Sequence, residues 1–117
     1  MVGGIHALIF SKDADAVRGF LRDVLEFPSV DAGGGWPIFA LPPAELGVHP
    51  TDDRPHHELY LVCADLDRVV TRLGERGVEF TGPIEDQRFG RVVSLLLPDG
   101  QPLALYQPKH PTAIDLI

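Results

Sequence analysis

The chain has 117 residues, 44% of them hydrophobic, which is long and apolar enough for one globular domain. Its net charge of −7 and its pI of about 5.0 argue against nucleic acid or an anionic membrane as a partner, because phosphate groups attract basic patches. A single cysteine allows no internal disulfide, and the N-terminal residues lack the features of a secretory signal, so we expect a cytoplasmic protein.

The first half of the chain predicts a strand, a helix and then short strands. Residues 5–10 form an aliphatic run typical of a strand. Asp13 is a candidate N-cap for a helix whose apolar side chains recur at helical spacing, namely Val17, Phe20, Leu21, Val24 and Leu25. Pro28 ends this helix, and the Gly- and Pro-punctuated runs after it predict short antiparallel strands.

The second half repeats this order about 52 residues later. Its aligned positions include Asp65 with Asp13, Val69 with Val17, and Leu73 with Leu21. Residues 98–100, Pro-Asp-Gly, predict a turn between the last two strands. We therefore expect one domain over residues 1–117, with one βαβββ module over about 1–52, a second over about 53–109, and a tail over 110–117.

Strand alternation divides the side chains of the second module between two faces. In "HHELYLVC" (56–63), His57, Leu59, Leu61 and Cys63 share one face, and His56, Glu58, Tyr60 and Val62 share the other. In the last strand, Leu103 and Leu105 should pack on the helix, whereas Ala104 and Tyr106 should face away from it. The repeat makes His6 the equivalent of Glu58, so both should lie on the polar face.

The paired modules, with "HALIFSKD", "ADLDRVVTRLGERGVEF" and "LPDGQPLALYQP", resemble the vicinal oxygen chelate superfamily. That superfamily includes glyoxalase I, extradiol dioxygenases and bleomycin-resistance proteins. The resemblance implies an α+β fold in which two tandem βαβββ modules form a curved mixed-sheet cup with the helices outside. It also implies a small-molecule ligand inside the cup and a homodimer.

The resemblance also implies positions for metal ligands. The start positions of the two modules are His6 and Glu58, and the end positions are Leu46 and Ala104, which cannot coordinate a metal. His56 lies two residues from Glu58 on one strand face and would complete a set of two histidines and a carboxylate for divalent Fe, Mn, Zn or Ni. The alternative is a site without metal, in which Glu58 acts as a general base.

Aromatic residues predict an apolar wall for a planar substrate: Phe10, Trp36, Tyr60 and Tyr106, with Phe89 as a further candidate. Residues 85–90 are expected to form a loop at the mouth of the cup, where Arg91 or Arg88 would either pair with an anionic substrate or be solvated. Two functions remain open at this point. One is a metal-dependent lyase or dioxygenase, with Glu58 as its catalytic residue. The other is a metal-free protein that binds or sequesters a small molecule, as bleomycin-resistance proteins do.

Overall fold

The secondary structure consists of two helices, six strands and a final 3-10 turn, in a computed structural model that describes residues 6–116. The helices are α1 (Ala14–Asp23) and α2 (Leu66–Glu75). The strands are β1 (Ser29–Asp31), β2 (Pro37–Phe39), β3 (Tyr60–Val62), β4 (Glu85–Asp86), β5 (Gly90–Leu96) and β6 (Pro102–Pro108), and the 3-10 turn is Ile114–Leu116. Within residues 6–116, no helix is long and apolar enough to cross a membrane.

The two helices confirm the internal repeat. Each boundary of α2 lies 52 residues after the matching boundary of α1. Asp13 accepts a hydrogen bond from the Ala16 amide at 3.3 Å, and Asp65 accepts the equivalent bond from the Arg68 amide at 3.2 Å. Both aspartates therefore cap amides that a helix leaves without an internal partner, as the sequence predicted.

The second module builds a four-stranded mixed sheet in the order β3-β6-β5-β4. Strand β3 runs parallel to β6, whereas β5 pairs antiparallel with both β6 and β4. The predicted turn joins β5 to β6, with Gly100 at φ +89°, a value that a residue with a side chain rarely adopts. This turn and the long β5-β6 hairpin place the two strands in one fixed register.

The hydrophobic core lies between both helices and one face of this sheet. Helix α1 contributes Val17 and Phe20, and α2 contributes Leu66 and Leu73. The sheet contributes alternate residues of its two long strands and the residue after β5: Val93, Leu95, Leu97, Leu103 and Leu105. The predicted division of faces is therefore confirmed for β6 and for Leu61 of β3, whereas residues 56–59, which were expected to belong to the same strand, form none.

The first module differs from its prediction, because its first and last strands do not form. Ile5 lies outside the described residues, and residues 6–12 and 40–59 contain neither helix nor strand. Strands β1 and β2 pair only with each other. A strand needs a neighbour for its backbone N–H and C=O groups, and the described part of one chain supplies none to these segments.

A single chain leaves an unusually large surface exposed. It exposes 9144 Å², whereas a compact monomer of 12.8 kDa is expected to expose roughly 6,300 Å². Its radius of gyration is 15.2 Å, against about 13 Å for a compact chain of this length. Large apolar side chains of the strand-free segments contribute to the excess, among them Leu8, Phe10, Leu46 and Val48.

Candidate ligand-binding site on the open sheet face

The side of the β3-β6-β5-β4 sheet that faces away from both helices is called the open face here. Strand alternation and register place residues of β3, β5 and β6 on it, among them Tyr60, Val62, Val92, Ser94, Ala104 and Tyr106. Glu85 of β4 pairs with Val92 and so stands at the outer edge of the same face. These side chains are half-buried or exposed rather than packed under another layer.

Tyr106 lies at the centre of an aromatic cluster on the open face. Its ring is 5.7 Å from that of Tyr60 in an edge-to-face arrangement, 6.1 Å from Phe89 and 5.8 Å from His110. The Tyr106 hydroxyl donates a hydrogen bond to the Phe89 carbonyl at 3.0 Å. Gly90 is buried beneath this ring, and an added Cβ would stand 2.4 Å from it. The cluster is therefore held in one arrangement by a hydrogen bond and by a close backbone approach.

Glu58 lies beside the aromatic cluster and accepts two side-chain hydrogen bonds. The Tyr60 hydroxyl donates to Oε1 at 2.7 Å, and His56 Nε2 donates to Oε2 at 3.0 Å. The other ring nitrogen of His56, Nδ1, donates to the Arg54 carbonyl at 2.9 Å. The Glu58 side chain remains 55% exposed, so both oxygens keep acceptor capacity toward solvent or a ligand.

These bonds shift the protonation equilibria of all three side chains. The Tyr60 hydroxyl, and after it His56, lowers the pKa of Glu58, so its carboxylate stays ionised at neutral pH. The Glu58 carboxylate, aided by burial, raises the pKa of Tyr60 to about 12. The Arg54 carbonyl, and after it Glu58, raises the pKa of His56 because both favour the imidazolium. The cluster thus presents an oriented anion next to neutral aromatic rings.

Two concave sites in the described residues lie away from the open face. One, of about 300 Å³, lies between the helix ends and is lined by Phe20, Val24, Arg76 and Leu97 among others. A second, of about 240 Å³, lies on the β1-β2 hairpin. Neither of these two cavities includes the aromatic cluster.

The structure does not assemble the predicted metal ligands within one chain. His56 and Glu58 are in contact, but across residues 6–116 no three His, Cys, Asp or Glu side chains are grouped to hold a metal ion. His6 lies in a segment that forms no strand, which removes the reason for placing it on the same sheet face as Glu58. Leu46 and Ala104 carry no donor atoms. The donor set of the single chain therefore does not fit a metal centre.

Two of the predicted aromatic wall residues lie elsewhere. Phe10 is 83% exposed, and its carbonyl accepts a hydrogen bond from Gln101, beyond the opposite end of β6 from the aromatic cluster. Trp36 belongs to the turn before β2, where the Arg18 guanidinium lies 4.5 Å from its ring centre. Both residues were assigned to the wall because they are aromatic, and residue type alone does not fix their position in the fold.

Arg91 also differs from its prediction as a substrate-binding residue. It lies on the helix side of β5 and makes two hydrogen bonds to Asp67, at 2.6 and 3.0 Å. Gln107, its partner in the β5-β6 register, accepts a hydrogen bond from the Leu66 amide at 2.8 Å on the same side. Both side chains bind the first turn of α2 to the sheet, because the odd-numbered residues of β5 and β6 face the helices.

Sequence reasoning missed two features of the site. It treated His110 as part of a tail, although the ring packs on Tyr106. It also missed the hydrogen bond between Tyr60 and Glu58. The second feature had a detectable signal, because the strand predicted over residues 56–63 would place Glu58 and Tyr60 on one face. The packing of His110 on Tyr106 depends on the direction that the chain takes after β6, and the local sequence does not indicate this direction.

The chain belongs to the Glyoxalase/Bleomycin resistance protein/Dioxygenase superfamily, whose family model matches residues 5–105. The fold class inferred from the repeat, with two helices and mixed sheets, is confirmed by this match and by solved structures of the same superfamily. No protein with a curated functional description matches the sequence.

Solved structures similar to this chain cover most of its length. A superfamily member from Sphaerobacter thermophilus DSM 20745 is 25% identical, with 91% of this chain and 98% of that chain covered and a TM-score of 0.62. TnmS3, an antibiotic binding protein from Streptomyces sp. CB03234, is 25% identical, with 93% of this chain and 100% of that chain covered and a TM-score of 0.63. The fosfomycin resistance protein FosX from Mesorhizobium loti is 18% identical, with 93% of this chain and 95% of that chain covered and a TM-score of 0.55. At this identity the similarity shows the shared fold alone.

Proposed function

We propose that this protein binds a small organic molecule on the open face and needs no metal to do so. The observation that carries the proposal is the aromatic cluster around Tyr106, which stands half-exposed beside the ionised carboxylate of Glu58. Ligand sites in proteins combine apolar and aromatic walls with a few oriented polar groups, and this surface has both.

The chemistry of the donor atoms supports binding rather than metal catalysis. A metal centre of this superfamily would draw ligands from the starts and ends of both modules, and two of those four positions, Leu46 and Ala104, have no donor atom. The similarity to an antibiotic binding protein adds a relative with a binding function.

We also propose that a second copy of the chain completes the cup. One chain exposes roughly 2,800 Å² more than a compact monomer of its mass, which exceeds the roughly 800 Å² that each partner buries in a standard interface. The strand-free segments 6–12 and 40–59 contain exposed apolar side chains and backbone groups able to pair with a partner strand. A homodimer in which these segments pair would wall the open face.

A metal-dependent lyase or dioxygenase is the second candidate, favoured by one observation. His56 Nδ1 donates to a backbone carbonyl, which leaves Nε2 directed at the Glu58 carboxylate, as in metal-binding histidines held by an outer hydrogen bond. These two side chains give only part of a ligand set. Elemental analysis of purified protein tests this candidate, since stoichiometric Fe, Mn, Zn or Ni would support it and refute the metal-free site.

The binding proposal is tested by calorimetric titration of chelator-treated protein with a panel of planar polycyclic compounds. We expect at least one compound to bind, and Tyr106→Ala to weaken its affinity at least tenfold because the central ring of the cluster is lost. Trp36→Ala is the matched control, since it removes an exposed aromatic ring on the β1-β2 hairpin. Equal losses in both variants, or no binding by the wild type, would refute the proposal.

A further inference from the structure

We infer that the ligand of the open face is a planar aromatic cation, with Glu58 as its counter-ion. This inference rests on the proposed binding function and specifies the chemistry of the ligand. Two independent features carry it, namely the geometry of the Glu58 carboxylate and the electrostatic character of the rings next to it.

The carboxylate is fixed in direction and accepts hydrogen bonds but does not donate them. Tyr60 holds Oε1 at 2.7 Å and His56 holds Oε2 at 3.0 Å, so the group is oriented before any ligand arrives. Each oxygen still has a lone pair available, and the side chain is 55% exposed. A ligand N–H would therefore find a pre-oriented acceptor, and a positive charge on that nitrogen would strengthen the hydrogen bond.

The aromatic cluster favours the same kind of ligand. The faces of tyrosine and phenylalanine rings are negative, so they attract a cation or the electron-poor ring of a heteroaromatic molecule. Tyr60 joins the two features, because its hydroxyl is bonded to Glu58 while its ring contacts that of Tyr106 at 5.7 Å. A flat molecule stacked on these rings would present its edge to the carboxylate.

The other charged groups of the region leave this polarity in place. Lys109 pairs with Asp86, and Arg91 pairs with Asp67 on the helix side of the sheet. Glu85 adds a second carboxylate at the far edge of the open face. His56 competes with a ligand for Glu58 and occupies a single lone pair of Oε2, and His49 also lies near enough to act on this carboxylate.

The test measures the affinity of three acridines that share one ring frame: 9-aminoacridine as the cation, acridine as the neutral compound and 9-acridinecarboxylate as the anion. At pH 8 we expect the wild type to bind the cation most tightly. Glu58→Gln should lower the affinity for the cation about tenfold, the size of one charge-assisted hydrogen bond. It should change the affinity for acridine by no more than about twofold.

A control variant separates direct contact from the general electrostatic field of an acidic protein. Glu75→Gln on α2 makes the same chemical change on the helix side. It should retain the preference for the cation. An equal loss of cation affinity in Glu75→Gln and Glu58→Gln would overturn the counter-ion role of Glu58.

The outcomes distinguish this inference from the proposed function. If all three acridines bind with equal affinity and Glu58→Gln lowers the affinity of none of them selectively, the inference is wrong but the proposed binding function is not refuted. If none of them binds and other planar compounds also fail, both the inference and the proposed function are refuted. Thermal unfolding of each variant checks that a loss of affinity does not come from a loss of folded protein.

Discussion

Glu58, Tyr60 and His56 form a hydrogen-bonded group within one short segment, and each bond favours one charge state. The carboxylate is ionised above its lowered pKa, and the imidazole is protonated below its raised pKa. Because all three side chains are exposed, the group contributes little to the overall free energy of unfolding. Its importance lies in the orientation of the carboxylate.

The His56 ring provides a direct measurement of this group. We expect NMR titration to give His56 a pKa above 6.5 in the folded protein, and Glu58→Gln to bring that value down toward 6.5. The stabilisation from a raised pKa is complete below the unfolded-state value and is lost as the pH rises through the folded-state value. His56→Gln should therefore destabilise the protein more at pH 5.5 than at pH 8. Titration curves that coincide in wild type and Glu58→Gln would contradict the pairing.

Gly90 fixes the position of the Tyr106 ring by allowing the backbone to approach it. An alanine Cβ would meet the ring at 2.4 Å and the Gln107 carbonyl at 2.7 Å, so strands β5 and β6 would have to shift. We expect Gly90→Ala to lower the free energy of unfolding by about 1–3 kcal/mol in denaturant titration, as overpacking does. Gly82→Ala, where nothing lies within 4 Å, is the control. Equal stability of the two variants would contradict the close packing.

At the scale of elements, the parts of the fold that follow local rules were predictable. Both helices were located from apolar spacing and an aspartate cap, and the hairpin of β5 and β6 was located from Pro98-Asp99-Gly100. The strand expected at residues 5–10 was not found in the described residues of that segment. Strand composition alone cannot specify a partner, and pairing depends on segments distant in the chain or in another chain.

The equivalence of the two helix caps leads to a paired expectation. Asp13→Ala and Asp65→Ala should each destabilise the protein by about 1 kcal/mol, because each removes a hydrogen bond to a first-turn amide. Thermal and denaturant unfolding measure the effect, and Asp52→Ala in an exposed loop is the matched control. A loss of stability in only one of the two variants would contradict the equivalence of the modules.

At the scale of the whole molecule, the candidate site was predictable only where it depends on one strand. Alternation placed Glu58 and Tyr60 together, and it separated Tyr106 from Leu105 correctly. It was not applied to Arg91, whose neighbours were taken for a loop at the mouth of the cup. Phe10 and Trp36 were assigned to the cup as aromatic residues, but their position depends on how the two modules pack together, which no local pattern encodes.

The proposed homodimer is tested by the mass of the protein in solution. We expect light scattering after size exclusion to give twice the chain mass of 12.8 kDa. Leu46→Asp should shift the protein toward the monomer, because it places a charge on a segment expected to pair between copies. Thr71→Asp, on the exposed side of α2, should leave the dimer intact. A wild-type monomer at all concentrations would contradict the shared cup.

The most direct test of the central claim is a ¹H–¹⁵N NMR titration of chelator-treated protein with 9-aminoacridine. We expect the largest shifts at the amides of Tyr60, Ala104 and Tyr106 on the open face, with no divalent metal added. The amides of Val24 and Gly77, beside the cavity between the helix ends, should not move. Shifts centred on that cavity, or shifts that appear only after a divalent metal is added, would contradict a metal-free site on the open face.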